Sequence, residues 1–146
     1  DWSWATLLTD LDGDGQKDIF VTNGYRKNVT DRDFISFTEE FASFGTDAAR
    51  QQQRDKLLQK VPEIKLRNYA FRNRDTLRFD DVSTAWGLDE LSYTNGSAYA
   101  DLDGDGDLDI IVSNIDEEAS LFRNNSREQL KNSYLSVSLA GPDGKR

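Results

Sequence analysis

Two nine-residue phrases carry the chemistry of this sequence: DLDGDGQKD at 10–18 and DLDGDGDLD at 101–109. Each sets carboxylates at loop positions 1, 3, 5 and 9 and glycines at positions 4 and 6. Carboxylate oxygens suit hard cations, and calcium takes about 6–8 oxygen ligands at roughly 2.3–2.6 Å. A short loop can supply them only by coiling with its carboxylates pointing inward. Asp10, Asp12, Asp14 and Asp18 are the side-chain ligands expected in the first copy, and Asp101, Asp103, Asp105 and Asp109 in the second. Position 7 is expected to give a backbone carbonyl, from Gln16 and Asp107, so its side chain is free to differ between copies. Gly15 and Gly106 allow the sharp turn at position 6. The expectation is two Ca2+ ions, one per loop.

The elements that hold these loops decide which kind of calcium site they form. IFVTN (Ile19 to Asn23) and IIVSN (Ile110 to Asn114) follow the two copies, and both are β-branched apolar runs that read as strands. ATLLT and SAYA precede them and also read as strands. An EF-hand would end its loop in a bidentate Glu at position 12 and open into a helix. Position 12 here is Val21 or Val112, inside a strand. Plain acidic turns would explain one Asp-Gly loop. Two loops with the same carboxylate spacing call for a cation, because four or five packed carboxylates repel one another without one.

The rest of the chain frames the loops. Trp2 and Trp4 have period 2 and should share a face, expected to pack in the core or between neighbouring sheets rather than to form a ligand-stacking platform. In 25–65, Thr30 or Asp31 is a candidate cap for a helix bearing Phe34, Ile35, Phe37, Phe41 and Phe44, stopped at Gly45. Ala48 to Lys60 reads as a second, polar helix ended by Pro62. Short strands are expected over 66–92, and SYLSVSLA at 133–140 alternates as a half-buried strand would. The basic residues Arg67, Arg72, Arg74 and Arg78 alternate with Asp75, Asp80 and Asp81 and read as a solvated strand face.

D-x-D-x-D-G-x-x-D between two strands resembles the FG-GAP/VCBS repeat, the calcium blade of integrin-α-like β-propellers. FRNRDTLRFDDVSTAWGL, NGSAYADLDGDGDLDIIVSN and LFRNN are also similar to VCBS-repeat proteins of secreted bacterial type, and NSYLSVSLAG resembles the opening of an ASPIC/UnbV segment. The resemblance implies a mainly β fold with about two propeller-type blades, a fragment of a larger propeller, and a helical insertion between the calcium loops. The implied divisions are 1–24 (first calcium-loop blade portion), 25–65 (helical insertion), 66–126 (second calcium-loop blade) and 127–146 (C-terminal strand). The loops lie 91 residues apart, and an insertion of about 40 residues explains the excess over a familiar blade of roughly 40–50. A closed propeller needs about 4–8 blades. Other blades of a parent chain, or other copies, are therefore expected partners, and the absence of Met also suits a piece of a longer protein.

Charge narrows the function classes. The net charge is −9, of which the first loop carries −3 and the second −5. The acidity is thus local, and two bound Ca2+ would bring the total to −5. Nucleic-acid binding wants a basic stripe and is not expected. No apolar run is long enough for membrane insertion. With no His and no Cys, His-based triads, thiol nucleophiles and disulfides are absent. The reading is a non-enzymatic calcium-binding module that recognises a protein or glycan. Its expected place is extracellular, periplasmic or in the cell envelope, where calcium is millimolar. The alternative is a non-catalytic part of a propeller-type polysaccharide lyase or another carbohydrate-active enzyme. With five Asp and no Lys, loop two should bind calcium more tightly than loop one, which contains Lys17.

Overall fold

A computed structural model describes residues 3–27, 63–75 and 78–141, with positions 36, 51, 52, 55, 56, 59 and 61 between them. The described chain is mainly β, built from antiparallel sheets. Its strands are β1 (Ser3–Thr9), β2 (Asp18–Asn23), β3 (Leu66–Arg67), β4 (Tyr69–Asp75), β5 (Arg78–Asp81), β6 (Leu91–Ser92), β7 (Thr94–Ala100), β8 (Asp109–Asn114) and β9 (Ser120–Phe122). A short helix, α1 (Ser126–Leu130), follows. Among the described residues no helix is long and apolar enough to cross a membrane.

Each acidic loop joins the first two strands of a sheet, and the second strand of each pair is the β-branched run that follows the loop. Sheet one has the order β1-β2-β4-β5, and sheet two has the order β7-β8-β9. The ribbon β3-β6 stands beside them. In sheet one, Leu7, Phe20 and Ala70 are registered across three strands. In sheet two, Tyr99, Ile110 and Phe122 are registered likewise. Phe20 and Ala70 of the first row meet Ile110 and Phe122 of the second, while Tyr99 stays exposed, and the core lies between the sheets: Leu11, Phe20, Ala70, Leu88, Ile110 and Val112 are buried, with Leu7, Val82, Trp86 and Phe122 packed against them. Phe20 is wholly buried, which stabilises the fold by about 1.5–3 kcal/mol. At one end a buried polar seam joins the sheets. There the Asn23 amide donates to Asn68 Oδ1 at 2.9 Å, and Asn68 Nδ2 donates to Thr94 Oγ1 at 3.2 Å.

The two sheets repeat one another in detail. Ser3 Oγ donates to Asn23 Oδ1 at 2.8 Å, and Thr94 Oγ1 donates to Asn114 Oδ1 at 2.7 Å. A register shift follows each of these hydroxyl residues in its strand.

Two expectations meet a different arrangement, and a third falls mostly outside the described residues. Pairing puts β4 and β5 in sheet one with the first loop, so the boundary at residue 66 does not separate the sheets. The expected helices over 25–65 fall mostly outside the described residues, although positions 36, 51, 52, 55, 56 and 59 are helical. The ends of this segment meet in a Lys27–Glu63 bridge, with Glu63 paired to Arg26 at 2.9 Å and Lys27 at 3.0 Å. Finally, the strand expected at 133–140 is absent, because residues 131–141 carry no regular structure. Leu135 is 86% exposed and Leu139 83%. Alternation marks two faces of an extended segment, but no neighbouring strand pairs with this one.

Candidate metal centres

Each loop is wound by its own carboxylates. In loop one, Asp10 accepts the amides of Asp14 at 3.1 Å and Gly15 at 2.8 Å. Asp12 Oδ1 accepts the Asp14 amide at 3.2 Å, and Asp14 Oδ1 accepts that of Gln16 at 2.8 Å. In loop two, Asp101 accepts from Gly104 and Gly106, Asp103 from Asp105, and Asp105 from Asp107. The turn at position 6 needs a left-handed backbone, with φ of 90° at Gly15 and 96° at Gly106, and this is glycine's territory.

Position 9 is a clasp. Asp18 is fully buried and accepts two backbone amides at 2.9 Å, from Leu11 at the head of its loop and from Asn73 on β4. Asp109 does the same with Leu102 at 3.0 Å and Asn124 at 2.8 Å. These pairs span 55 residues in sheet one and 15 in sheet two, so the additional 40 residues lie between the second and third strands of sheet one.

The carboxylates converge enough to hold a metal ion. Oxygens of Asp10, Asp12 and Asp18 lie within 4.8 Å of one another, as do those of Asp101, Asp103 and Asp105. A third group joins Asp105 and Asp107 to Glu128 on α1. Asp14 and Asp109 belong to their loops but not to these tightest groups. Gln16 turns its side chain away, and its Nε2 donates to the Arg74 carbonyl at 3.3 Å. Asp107, in contrast, is buried, and its carboxylate accepts the Arg127 amide at 2.9 Å.

Electrostatics favour a cation in loop one. Burial raises the Asp12 pKa above 3.8, the charge of Asp18 adds to this, and Arg72 opposes it. Burial also raises the pKa of Asp18, against the lowering effect of the Asn73 and Leu11 amides. In loop two, the Asp107 amide and then Arg123 lower that of Asp105. Asp12 is 3% exposed, and its Oδ2 accepts no hydrogen bond. That oxygen faces the Arg72 guanidinium and lies among the oxygens of Asp10 and Asp18, and such an all-oxygen set of carboxylates fits a hard cation.

Sequence reading missed the residues that cover the loops. Phe-Arg-Asn occurs at 71–73 and again at 122–124, and both copies sit on the third strand of a sheet or at its end. Arg72 does not lie on a solvated face: its Nε is 2.6 Å from Asp12 Oδ2 and its Nη2 3.3 Å from Asp14. Arg123 repeats this toward Asp103 at 2.8 Å and Asp105 at 3.3 Å. Asn132 caps loop one by donating to the Asp12 carbonyl at 2.7 Å. A cavity of about 260 Å³ between the sheets is lined by Asp12, Arg72, Trp86, Ile110, Phe122 and Arg123, among others. Comparison with family models, with curated proteins and with solved structures gives no match for this chain.

Proposed function

We propose that this chain is a calcium-clamped segment of a β-propeller of FG-GAP/VCBS type, a non-enzymatic module that presents loops to a protein or glycan outside the cell or in the cell envelope. The observation that carries the reading is the repetition of one acidic loop, with the same position-1 to position-6 and position-9 to position-2 hydrogen bonds, at the same place in two antiparallel sheets. Asp10, Asp12, Asp14 and Asp18, with the Gln16 carbonyl, would hold one Ca2+. Asp101, Asp103, Asp105 and Asp109, with the Asp107 carbonyl, would hold the other. Bound calcium neutralises carboxylates whose mutual repulsion otherwise opposes the fold. Its binding free energy adds to stability by mass action.

The propeller reading draws support from the outer faces of the sheets. Leu8, Ile19 and Phe71 are registered on the outside of sheet one, and Ala98, Ile111 and Leu121 on the outside of sheet two. Leu8 is 53% exposed and Leu121 61%. Further sheets, from a parent chain or from other copies, would cover these rows.

The test is a thermal melt of protein first shown by elemental analysis to carry calcium. Chelation with EGTA should lower the melting temperature by several degrees, and restored calcium should return it. A melt unmoved by EGTA refutes the calcium clamp.

A further inference from the structure

Arg72 and Arg123 are the same residue of two repeats, placed in the same way. Each aims Nε at the position-3 carboxylate and Nη2 at the position-5 carboxylate of its own loop. In loop one the contact has an unusual character. Arg72 Nε and Asp12 Oδ2 are 2.6 Å apart, yet neither atom has a hydrogen-bond partner, and both are buried. The pair is a close, buried ion pair, and the same guanidinium donates from Nη2 to Asp14 Oδ2 at 3.3 Å. The other carboxylate oxygens nearby are engaged: Asp12 Oδ1 takes an amide, and both oxygens of Asp18 do. Asp12 Oδ2 is the carboxylate oxygen at the buried end of loop one that takes no amide, and what faces it is a guanidinium.

We propose that Arg72 and Arg123 are built-in counter-cations that set the calcium affinity of the loops. Each guanidinium neutralises positions 3 and 5 of the ion-free loop and must withdraw from them when calcium binds. This rests on the calcium reading above. Arg is charged at every working pH, so its competition with the metal is not relieved by deprotonation. The withdrawal has room, since both side chains line the cavity between the sheets. The consequence is a loop that stays folded without calcium and binds it more weakly than its carboxylates alone would. The opposite role, a guanidinium that remains in place and steadies the bound-state ligands, has the opposite sign: removing it would weaken calcium binding.

Calorimetric calcium titration and thermal melts of wild type, Arg72→Gln and Arg123→Gln separate these cases. Each substitution should tighten calcium at its own loop by about three- to tenfold, the scale of one lost like-charge contact. In EGTA each should melt below wild type, and in saturating calcium that gap should close. Arg72→Lys keeps the charge without the planar fork and should leave affinity near wild type. Arg123 is the more exposed of the two, with 59% of its side chain accessible, so Arg123→Gln keeps the test open if Arg72→Gln fails to fold. If wild type binds calcium and the Gln variants bind no tighter, the assignment is overturned and the calcium reading stands. A melting deficit that is equal with and without calcium also overturns it, since that marks a merely structural contact. If wild type takes up no calcium, the calcium reading falls and takes the assignment with it.

Discussion

Asp18 and Asp109 act on the backbone as much as on any ion. Asp18 closes its loop on Leu11 and ties it to Asn73, and both amides are buried with it or partly so. Asp18→Ala would leave two donors unsatisfied, which costs about 2–4 kcal/mol. Urea unfolding in calcium should show that loss. In chelator the loss should be smaller, because the substitution also removes a buried charge. The same carboxylates give the metal-free protein an unusual pH response. The folded pKa values of Asp12 and Asp18 lie above their unfolded value of 3.8, so the folded state takes up protons first. Between those folded values and 3.8, acidification from neutral therefore adds stability. Glu63, Asp81 and Asp105 are shifted down, and their contributions are lost only below the unfolded values of 4.5 and 3.8. In EGTA the melting temperature should rise as pH falls from neutral toward about 4.5, and Asp12→Asn should flatten the rise. In calcium the trend should reverse, since protons then compete with the metal. The carboxylates were legible in the sequence because their spacing is itself the chemistry. The guanidiniums were not, because their distance in sequence from the loops is set by which strand comes third. The twofold Phe-Arg-Asn was the signal that would have found them.

Gly24, at the end of β2, shows how closely the two sheets approach. A Cβ there would lie 2.2 Å from the Thr94 nitrogen and 2.4 Å from the Tyr93 carbonyl carbon, both backbone atoms that cannot step aside. Gly24→Ala should destabilise the fold by about 3 kcal/mol, read as a lower urea midpoint. Gly96 on β7 is the control. Its added Cβ would meet only Ser113 Cβ at 3.7 Å, an ordinary contact, and Gly96→Ala should leave the midpoint near wild type. β1, β2, β7 and β8 could be read in advance because a β-branched apolar run follows each loop and a short strand-like run precedes it, with the loop reversing the chain. The partnership of β4 and β5 with β1 and β2 could not, because a long segment intervenes and alternation says nothing about neighbours. Residues 133–140 failed for the same reason: a two-sided pattern was present, and among the described residues no strand pairs with it.

Asn124 joins the two loops into one unit. Its side-chain Nδ2 donates to the Leu11 carbonyl in loop one at 2.7 Å and to the Leu108 carbonyl in loop two at 3.2 Å. Its backbone amide holds Asp109, and its Oδ1 accepts the Ser126 amide at 2.9 Å. Ser126 Oγ and Asn132 add further bonds from the same segment to loop one. Calcium that orders either loop therefore steadies the bridge on which the other rests, which is a route to positive coupling without a change of fold. Loss of one site should then weaken the other. Asp103→Asn disables loop two, and in wild-type background it should lower calcium affinity at loop one by a few-fold. In an Asn124→Ala background the same substitution should affect loop one less, because the bridging amide is gone while the bonds from Ser126 and Asn132 and the backbone bond to Asp109 remain. A double-mutant cycle on the loop-one dissociation constant measures the difference directly. Equal effects of Asp103→Asn in both backgrounds would show that the loops bind independently and that Asn124 serves only to pack the sheets together.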